Sequence, residues 1–576
     1  MESVYNSAVL NSLYKKIFSR RRISSVSIDP DEIFLDSSNL PQFDTDQFEG
    51  RIEKPITRST FVWLGIFFLL VGVVYSGRLW TLQVKNGEAF EIRSENNHLR
   101  HTTVFAPRGI IYDRNKIALA WNDLNPDGQF SLRKYLPTDG FAHLVGYLRY
   151  PAKDSAGNFY NDVFIGKDGA EEYFNEDLTG TNGLKITETD ALEEVQSEST
   201  LIPPKSGNNI TLAVDSRVQA KMYEVIKSTA HDRDFSGGAG VLMDVHTGEI
   251  VAITSYPQYD QNIMTEATDR AAIASFLSSK DTPFIDRAVS GLYVPGSIMK
   301  PFIAMGVLEE RIISPEKKIH SVGAITIPNR FNPSQPTIFR DWKVHGWVDM
   351  REAIAVSSDE YFYTVGGGYG EQKGIGILNI EKYVRMFGFG SMTGIDMVGE
   401  KKGTIPSPEW KAEMFDGEVW KLGNTYHSSI GQYGFQTTVI QAVRAVAAMG
   451  NGGKLITPTV LLNNPINDDK VVTLPFSKEY FKIVQEGMRL SVTDSVARAL
   501  NFSDLHVAAK TGTAELGITK ALVNSWVTGY YPYENPKYAF AILMEKGHRD
   551  NLVGATFVMR QILDWMKVNT PEYTQQ

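Results

Sequence analysis

The chain has no cysteine. That excludes a thiol nucleophile, thiolate-bound zinc, an iron–sulfur cluster and any disulfide. The redox compartment stays open, because a cysteine-free protein can work anywhere. Histidine is sparse too: ten residues, scattered, with no HExxH and no histidine/carboxylate cluster, so no metal site is expected. No basic run is long enough to follow a phosphate backbone. Lys and Arg number 58 against 67 Asp and Glu, the net charge is −9, and nucleic-acid binding is set aside. Cofactor motifs are lacking as well. "GLYVPGS" (291–297) stops short of a phosphate loop for want of its Lys-Ser/Thr pair, and "GGGYG" (366–370) reads as a turn after a helix. There is no internal repeat and no low-complexity tract. What remains is a globular composition, 42% hydrophobic and 22% charged, over 576 residues, which implies two or three domains.

One long apolar run is present. Residues 59–77, "STFVWLGIFFLLVGVVYSG", carry no charge, and Arg78 ends them. At about 1.5 Å per residue the run is roughly as long as a bilayer core is thick. It lies too far from Met1 and is too long for a cleaved signal, and no A-x-A site follows. Arg20, Arg21, Arg22, Arg51, Lys54 and Arg58 crowd its N-terminal side. This predicts a cytoplasmic tail over 1–58, a single span over 59–80, and everything later on the outer face.

After the span, "RLWTLQVKNGEAFEIRSENN" reads as a helix continuing outward. "GIIYD" and "IALAW" flank Asp113-Arg114-Asn115 as a hairpin, and 123–200 reads as short strands and loops. "LIPPKSGNN" (201–209) marks a boundary, giving a small β-rich domain over 81–205 and a larger domain over 206–570. The larger domain opens with a strand and helix, then a hairpin around "DVHTGE". Its middle is helical (351–365, 436–450). It returns to strands at "HVAAKTGTAEL", "SWVTGYYP" and "YAFAILME" before a last helix near 551–567. Strands at both ends with helices between predict one sheet built from distant segments, in an α+β fold.

Chemistry concentrates at "VPGSIMKPFIAMGVL" (294–308). Lys300 stands in an otherwise apolar helix, although lysine is rarely buried without a partner. Ser297 lies three residues earlier, on the same face and within reach. A serine hydroxyl needs a base, and a lysine is a base only when neutral; an apolar wall and a second cation both disfavour its charged form. The rival reading makes Lys300 one member of a structural ion pair. Alone, S-x-x-K is a weak signal. It is joined here by Ser357-Ser358-Asp359 and by Lys510-Thr511-Gly512-Thr513, in the order known for penicillin-recognising serine enzymes.

With these residues the sequence resembles the class B penicillin-binding proteins, single-pass transpeptidases of bacterial wall synthesis. The resemblance covers nearly everything after residue 60. "PRGIIYDRN" (107–115) and "GKDGAEEYFNEDLTGTNG" (166–183) look like the two motifs of the family's pedestal. "DRAVSGLYVPGSIMK", "SSIGQYGFQTT" and "NGGKLITP" look like transpeptidase landmarks. Ser-x-Asp followed by "YFY", with "DWKVHGWV" (341–348) upstream, looks most like the elongation type; the division type usually has Ser-x-Asn.

The resemblance implies a pedestal ahead of a transpeptidase domain, with an antiparallel sheet, helices on both sides and a helical subdomain. It implies no cofactor. Ser297 would attack a D-Ala-D-Ala stem peptide and Lys300 would take its proton. Ser357 would bridge Lys300 and Lys510. Asp359, Thr511, Gly512 and Thr513 would line the substrate, Lys510, Thr511 and Thr513 holding its carboxylate. The backbone N–H groups of Ser297 and Thr513 would form the oxyanion hole. Implied partners are peptidoglycan stem peptides, β-lactams, a membrane glycosyltransferase of the rod-elongation type and other elongation proteins. Two departures stand out. The stretch between Asn115 and Gly166 is short for a pedestal head. Asp359 is a carboxylate where many relatives carry an amide, and ionised it would hold a neighbouring lysine charged.

Rivals are a division-type enzyme, a β-lactam sensor or inactive scaffold, and a β-lactamase. A soluble hydrolase needs neither span nor pedestal, and a dead scaffold need not keep all three motifs. A bifunctional class A enzyme would need a glycosyltransferase domain that 84–200 cannot hold. Tyr361, Phe362 and Tyr363 are expected in the core, and His345 and His548 as satisfied structural histidines.

Overall fold

In the computed structural model, residues 58–88, 99–125, 129–155, 159–189, 195–329, 332, 334–467 and 470–575 are described. The chain divides into two units, Met1–Asn97 and His98–Gln576. In the first, α1 (Arg58–Trp80) runs on as a π-helical turn, Thr81–Lys85. It has no polar face, and its side chains are exposed nearly throughout, as suits a helix solvated by lipid. Among the described residues it is the one helix long and apolar enough to cross a membrane. The expected tail over 1–58, all but Arg58, and the continuation of this helix past residue 88 lie outside the described residues.

The second unit begins with two small sheets. β1 (Leu99–Val104) is the first strand of one. The hairpin expected around Asp113 forms from β2 (Ile111–Tyr112) and β3 (Ala118–Asp123), and β4 (Leu132–Tyr135) extends it. β5 (Gly183–Thr189) pairs with β1 and with β6 (Val195–Ile202). β7 (Ile210–Thr211) returns to lie parallel to β2.

The two pedestal-like motifs meet in the interior. Arg108 Nε and Arg133 Nε donate to the two oxygens of Glu171 at 2.6 and 2.7 Å, all three side chains being buried. Burial alone would raise the Glu171 carboxyl; the two guanidiniums hold it below its ordinary value instead. The first motif also fastens this region to the next. Asp113 Oδ2 accepts from Ser216 N and Oγ, and Asn115 Nδ2 donates to Asp215.

Ser216 opens α2 (Ser216–Asp232), and β8 (Gly237–Asp244) and β9 (Ile250–Tyr256) form the hairpin around "DVHTGE". The chain then builds a helical region: α3 (Lys300–Glu309), α4 (Met350–Val356), α5 (Asp359–Gly367), α6 (Val439–Gly450) and α7 (Lys478–Asp494). It returns through β10 (Ala508–Leu516), β11 (Leu522–Tyr531) and β12 (Tyr538–His548) to α8 (Ala555–Asn569). One antiparallel sheet results, in the order β9-β8-β12-β11-β10. This is the sheet from distant segments that the sequence predicts.

Its strands are apolar on both faces because both faces are covered. Leu242, Val251, Phe540 and Ile542 pack with Val218 and Met222 of α2 and Val558 and Ile562 of α8. Their neighbours Val241, Met243, Ala541 and Leu543 join a second core with α3 and α6. All twelve residues of α6 are buried, which is why it carries no charge but Arg444. The helix expected over 351–365 is broken: Ser357 adopts left-handed φ 59° and ends α4, and Ser358 caps α5 by accepting from Tyr361 N. Tyr361, Phe362 and Tyr363 are core, as expected. His548 is not a structural histidine; it is exposed beside Asp550.

Candidate active site

The three motifs converge between the sheet edge and the helical region. Ser297 lies in a 3₁₀ turn, Gly296–Met299, that runs straight into α3. Residues three apart eclipse in such a turn, so Ser297 and Lys300 share one side. This is tighter than the α-helical first turn that the spacing suggests. The turn is held from both flanks. Gly296 N donates to Gly431 O at 3.0 Å, and a Cβ on Gly431 would fall 2.2 Å from Gly296 O. On the other side a Cβ on Gly512 would come within 2.9 Å of Pro295 O. The glycine of the third motif is therefore the point where β10 passes the serine turn.

Lys300 is fully buried. Its Nζ donates to Asp359 Oδ1 at 2.6 Å, to Ser357 O at 2.8 Å and to Ser357 Oγ at 3.3 Å, and it lies 5.4 Å from the Phe362 ring centre. Its hydrogen bonds run to the second motif and not to Ser297, whose side chain is half-buried one turn away. Lys510, also fully buried, donates to Ser357 Oγ at 2.9 Å and to Thr511 O at 2.9 Å. Ser357 Oγ thus receives both amines. Its left-handed backbone puts it there, between the end of α4 and the start of α5.

β10 is the free edge of the sheet. Thr511 and Thr513, two apart on it, face the same way; Thr513 is exposed. Burial pushes the Lys510 amine well below its ordinary value, and the nearby Lys300 ammonium pushes it further, against Asp359. The Asp359 carboxyl is raised by burial; Lys300 opposes the rise and Asp341 adds to it. Two amines, one carboxyl and one hydroxyl therefore meet in one largely buried cluster. Such a set can deprotonate a hydroxyl, relay its proton and hold an anion.

The geometry adds residues that sequence reasoning treats only as markers. Asp341 and Trp342, in "DWKVHGWV", reach the second motif directly: Trp342 Nε1 donates to Ser357 O at 3.3 Å. Glu360, next to Asp359, is buried and accepts from Ser321 Oγ and Gly323 N. No local pattern flags these, because their partners are distant in sequence. His345 is buried as expected, but its Nε2 makes no hydrogen bond. Among the described residues no cluster suits a metal ion.

Comparison with known proteins gives the class first. Residues 238–564 match the penicillin-binding protein transpeptidase domain, and 129–212 match the penicillin-binding protein dimerisation domain. The peptidoglycan D,D-transpeptidase MrdA of Salmonella typhimurium is 28% identical over 619 aligned positions, covering 89% of this chain and 96% of that protein. That of Acinetobacter baumannii is 30% identical, covering 72% and 63%. Among solved structures, Pseudomonas aeruginosa PBP2 in complex with WCK 5153 has a TM-score of 0.65 at 28% identity, covering 82% of this chain and 98% of that one. The Helicobacter pylori complex of PBP2 with MreC has 0.67 at 25%, covering 81% and 99%. The chain belongs to the penicillin-binding protein transpeptidase family and is a class B, serine-type D,D-transpeptidase of the elongation type, resembling penicillin-binding protein 2.

Proposed function

We propose that the chain cross-links D-Ala-D-Ala stem peptides through an ester on Ser297, and that β-lactams acylate the same serine. The observation that supports this most is Ser357 Oγ, which receives Lys300 Nζ at 3.3 Å and Lys510 Nζ at 2.9 Å. One hydroxyl joins the amines of the first and third motifs, as a proton relay requires.

Ser297 Oγ attacks the carbonyl of the penultimate D-Ala, and its proton goes to Lys300. The Asp359 carboxyl, which burial raises, lies 2.6 Å from the Lys300 amine that takes this proton. Ser357 passes its proton to the departing D-Ala amine as the C–N bond breaks and takes one from Lys300, 3.3 Å away. The backbone N–H groups of Ser297 and Thr513 stabilise the oxyanion. The amine of a second stem peptide then attacks the ester, its proton passes back along the same relay, and Ser297 leaves as the free hydroxyl. Lys510, with Thr511 and Thr513, holds the substrate carboxylate. An arriving carboxylate favours the charged form of the Lys510 amine, which burial disfavours.

The basic residues ahead of α1 support a cytoplasmic N-terminus and an outer catalytic domain. Protease added to spheroplasts should then remove the C-terminal domain; survival until lysis would reverse the orientation. The resemblance supports a membrane glycosyltransferase of the rod-elongation type as partner, and the Helicobacter pylori structure supports a partner like MreC. In a rod-shaped host, depletion should round the cells; filaments would favour the division type.

The central test is labelling of the intact protein with a fluorescent penicillin and mapping of the modified residue. The label should sit on Ser297 and be absent from Ser297→Ala. A label elsewhere, or one kept by that variant, removes the reading.

A further inference from the structure

Asp341 lies outside all three motifs, yet its buried carboxylate is hydrogen-bonded on both sides of Asp359. Oδ2 accepts from Ser358 Oγ at 2.8 Å and from Glu360 N at 2.9 Å. Oδ1 accepts from Trp342 N at 2.8 Å, and Asp341 N donates to Gly323 O at 2.8 Å, which anchors the residue to a second stretch of backbone. Trp342, the next residue, donates from its indole to the carbonyl of Ser357. The pair therefore ties Ser357, Ser358 and Glu360, the residues on both sides of Asp359, from outside their own helix.

These four residues need fastening. Ser357 has a left-handed backbone without being glycine or asparagine, a conformation that persists only where the surroundings enforce it. Its hydroxyl must stay between two amines, and the neighbouring Asp359 must stay on Lys300. The end of α4 holds the backbone of this turn, Ser358 N donating to Ala353 O at 3.0 Å, while the side chains that meet it come from other segments. The side-chain contacts that meet it come from Asp341, Trp342, Lys300 and Lys510.

We propose that Asp341 is a positioning residue for transpeptidation, holding Ser357 and Asp359 in register with Lys300 and Lys510 through its bonds to Ser358 Oγ and Glu360 N. The proposal rests on the reading of Ser297 as the acylated serine. It distinguishes Asp341 from a residue that only stabilises the fold, because a misplaced relay slows the chemical step without weakening the encounter with the ligand.

The test is the time course of penicillin acylation by the full-length, detergent-solubilised protein, resolved into a non-covalent dissociation constant and a first-order acylation rate. Asp341→Ala should lower the acylation rate about tenfold or more and move the dissociation constant less than about threefold. Asp341→Asn should recover most of the rate, since one amide oxygen can still accept from Ser358 Oγ and Glu360 N. Ser358→Ala, which removes one of the two ties, should fall between wild type and Asp341→Ala. An unchanged rate in Asp341→Ala overturns the proposal, and so does an Asn variant as slow as the Ala one. If Asp341→Ala does not fold, an unchanged rate in Ser358→Ala overturns it. A wild type that is not acylated at Ser297 fails the functional reading instead.

Discussion

Two buried clusters in this chain share a formula, two cations around one carboxylate, and behave in opposite ways. In the pedestal-like region Arg108 and Arg133 hold Glu171, and its carboxyl is pulled below its ordinary value. In the cleft Lys300 and Lys510 stand around Asp359, whose carboxyl is raised while the Lys510 amine is lowered. Burial is complete for Glu171 and for the two lysines, and partial for Asp359. The difference lies in the cations. A guanidinium cannot lose its proton and presents a planar fork, so each arginine takes one oxygen of Glu171 and the charges stay. An ammonium is a point charge that can neutralise, and two of them close together disfavour each other. The same arrangement is a rivet with arginine and a proton store with lysine.

The largest expected effect breaks the rivet. Glu171→Ala leaves two guanidiniums buried without their counter-ion, and a broken buried pair costs about 3–5 kcal/mol. Denaturant unfolding should show that loss; less than about 1 kcal/mol would place the cluster among weak surface-like pairs. The cleft should give the reverse pattern. Lys300→Ala should slow penicillin acylation by about 10²–10⁴, the usual worth of a positioned base, with a small change in melting temperature. A large fall in melting temperature with acylation kept would make Lys300 a second rivet. Lys510→Ala should slow acylation by about 10² while leaving stability level or higher, because a disfavoured buried amine is removed. Unchanged acylation would take Lys510 out of the mechanism.

The cleft was more legible in the sequence than the pedestal, and the reason is spacing. Ser297 and Lys300 must be three apart to share a face, and Lys510, Thr511, Gly512 and Thr513 must follow one another on a strand, so local order carries the chemistry. The hairpins were legible too, because a turn between apolar runs is local. Glu171 and Arg108 are 63 residues apart, and nothing in either neighbourhood announces the other. Asp341 is 17 residues from Ser358, in a segment whose hydrogen bonds only the folded backbone reveals. The break between α4 and α5 was hidden because apolar residues continue through it at helical spacing. Its one signal was local: Ser358 followed by Asp359 and Glu360, an N-cap and two acids for a helix start.

The smallest expected effect sharpens the comparison by pH alone. A lysine lowered in the folded state is neutral there while still charged in the unfolded chain, so between its folded value and its ordinary one the unfolded state binds more protons. Stability must then rise with pH across that window. Asp359 gives the opposite slope in a more acid range: its folded value is raised, the native state binds the extra proton, and stability falls as pH rises through it. Glu171, held low, gives stability that is present at neutral pH and is lost as acid protonates it. Lys510→Met isolates the first of these. Relative to wild type it should gain most at neutral pH and least near the ordinary lysine value, since only the charged form carries the penalty. Melting temperatures of both proteins from neutral to alkaline pH test this. Curves that stay parallel would mean that the Lys510 amine keeps its ordinary proton in the folded protein, and that the cleft, like the pedestal, is held by fixed charges.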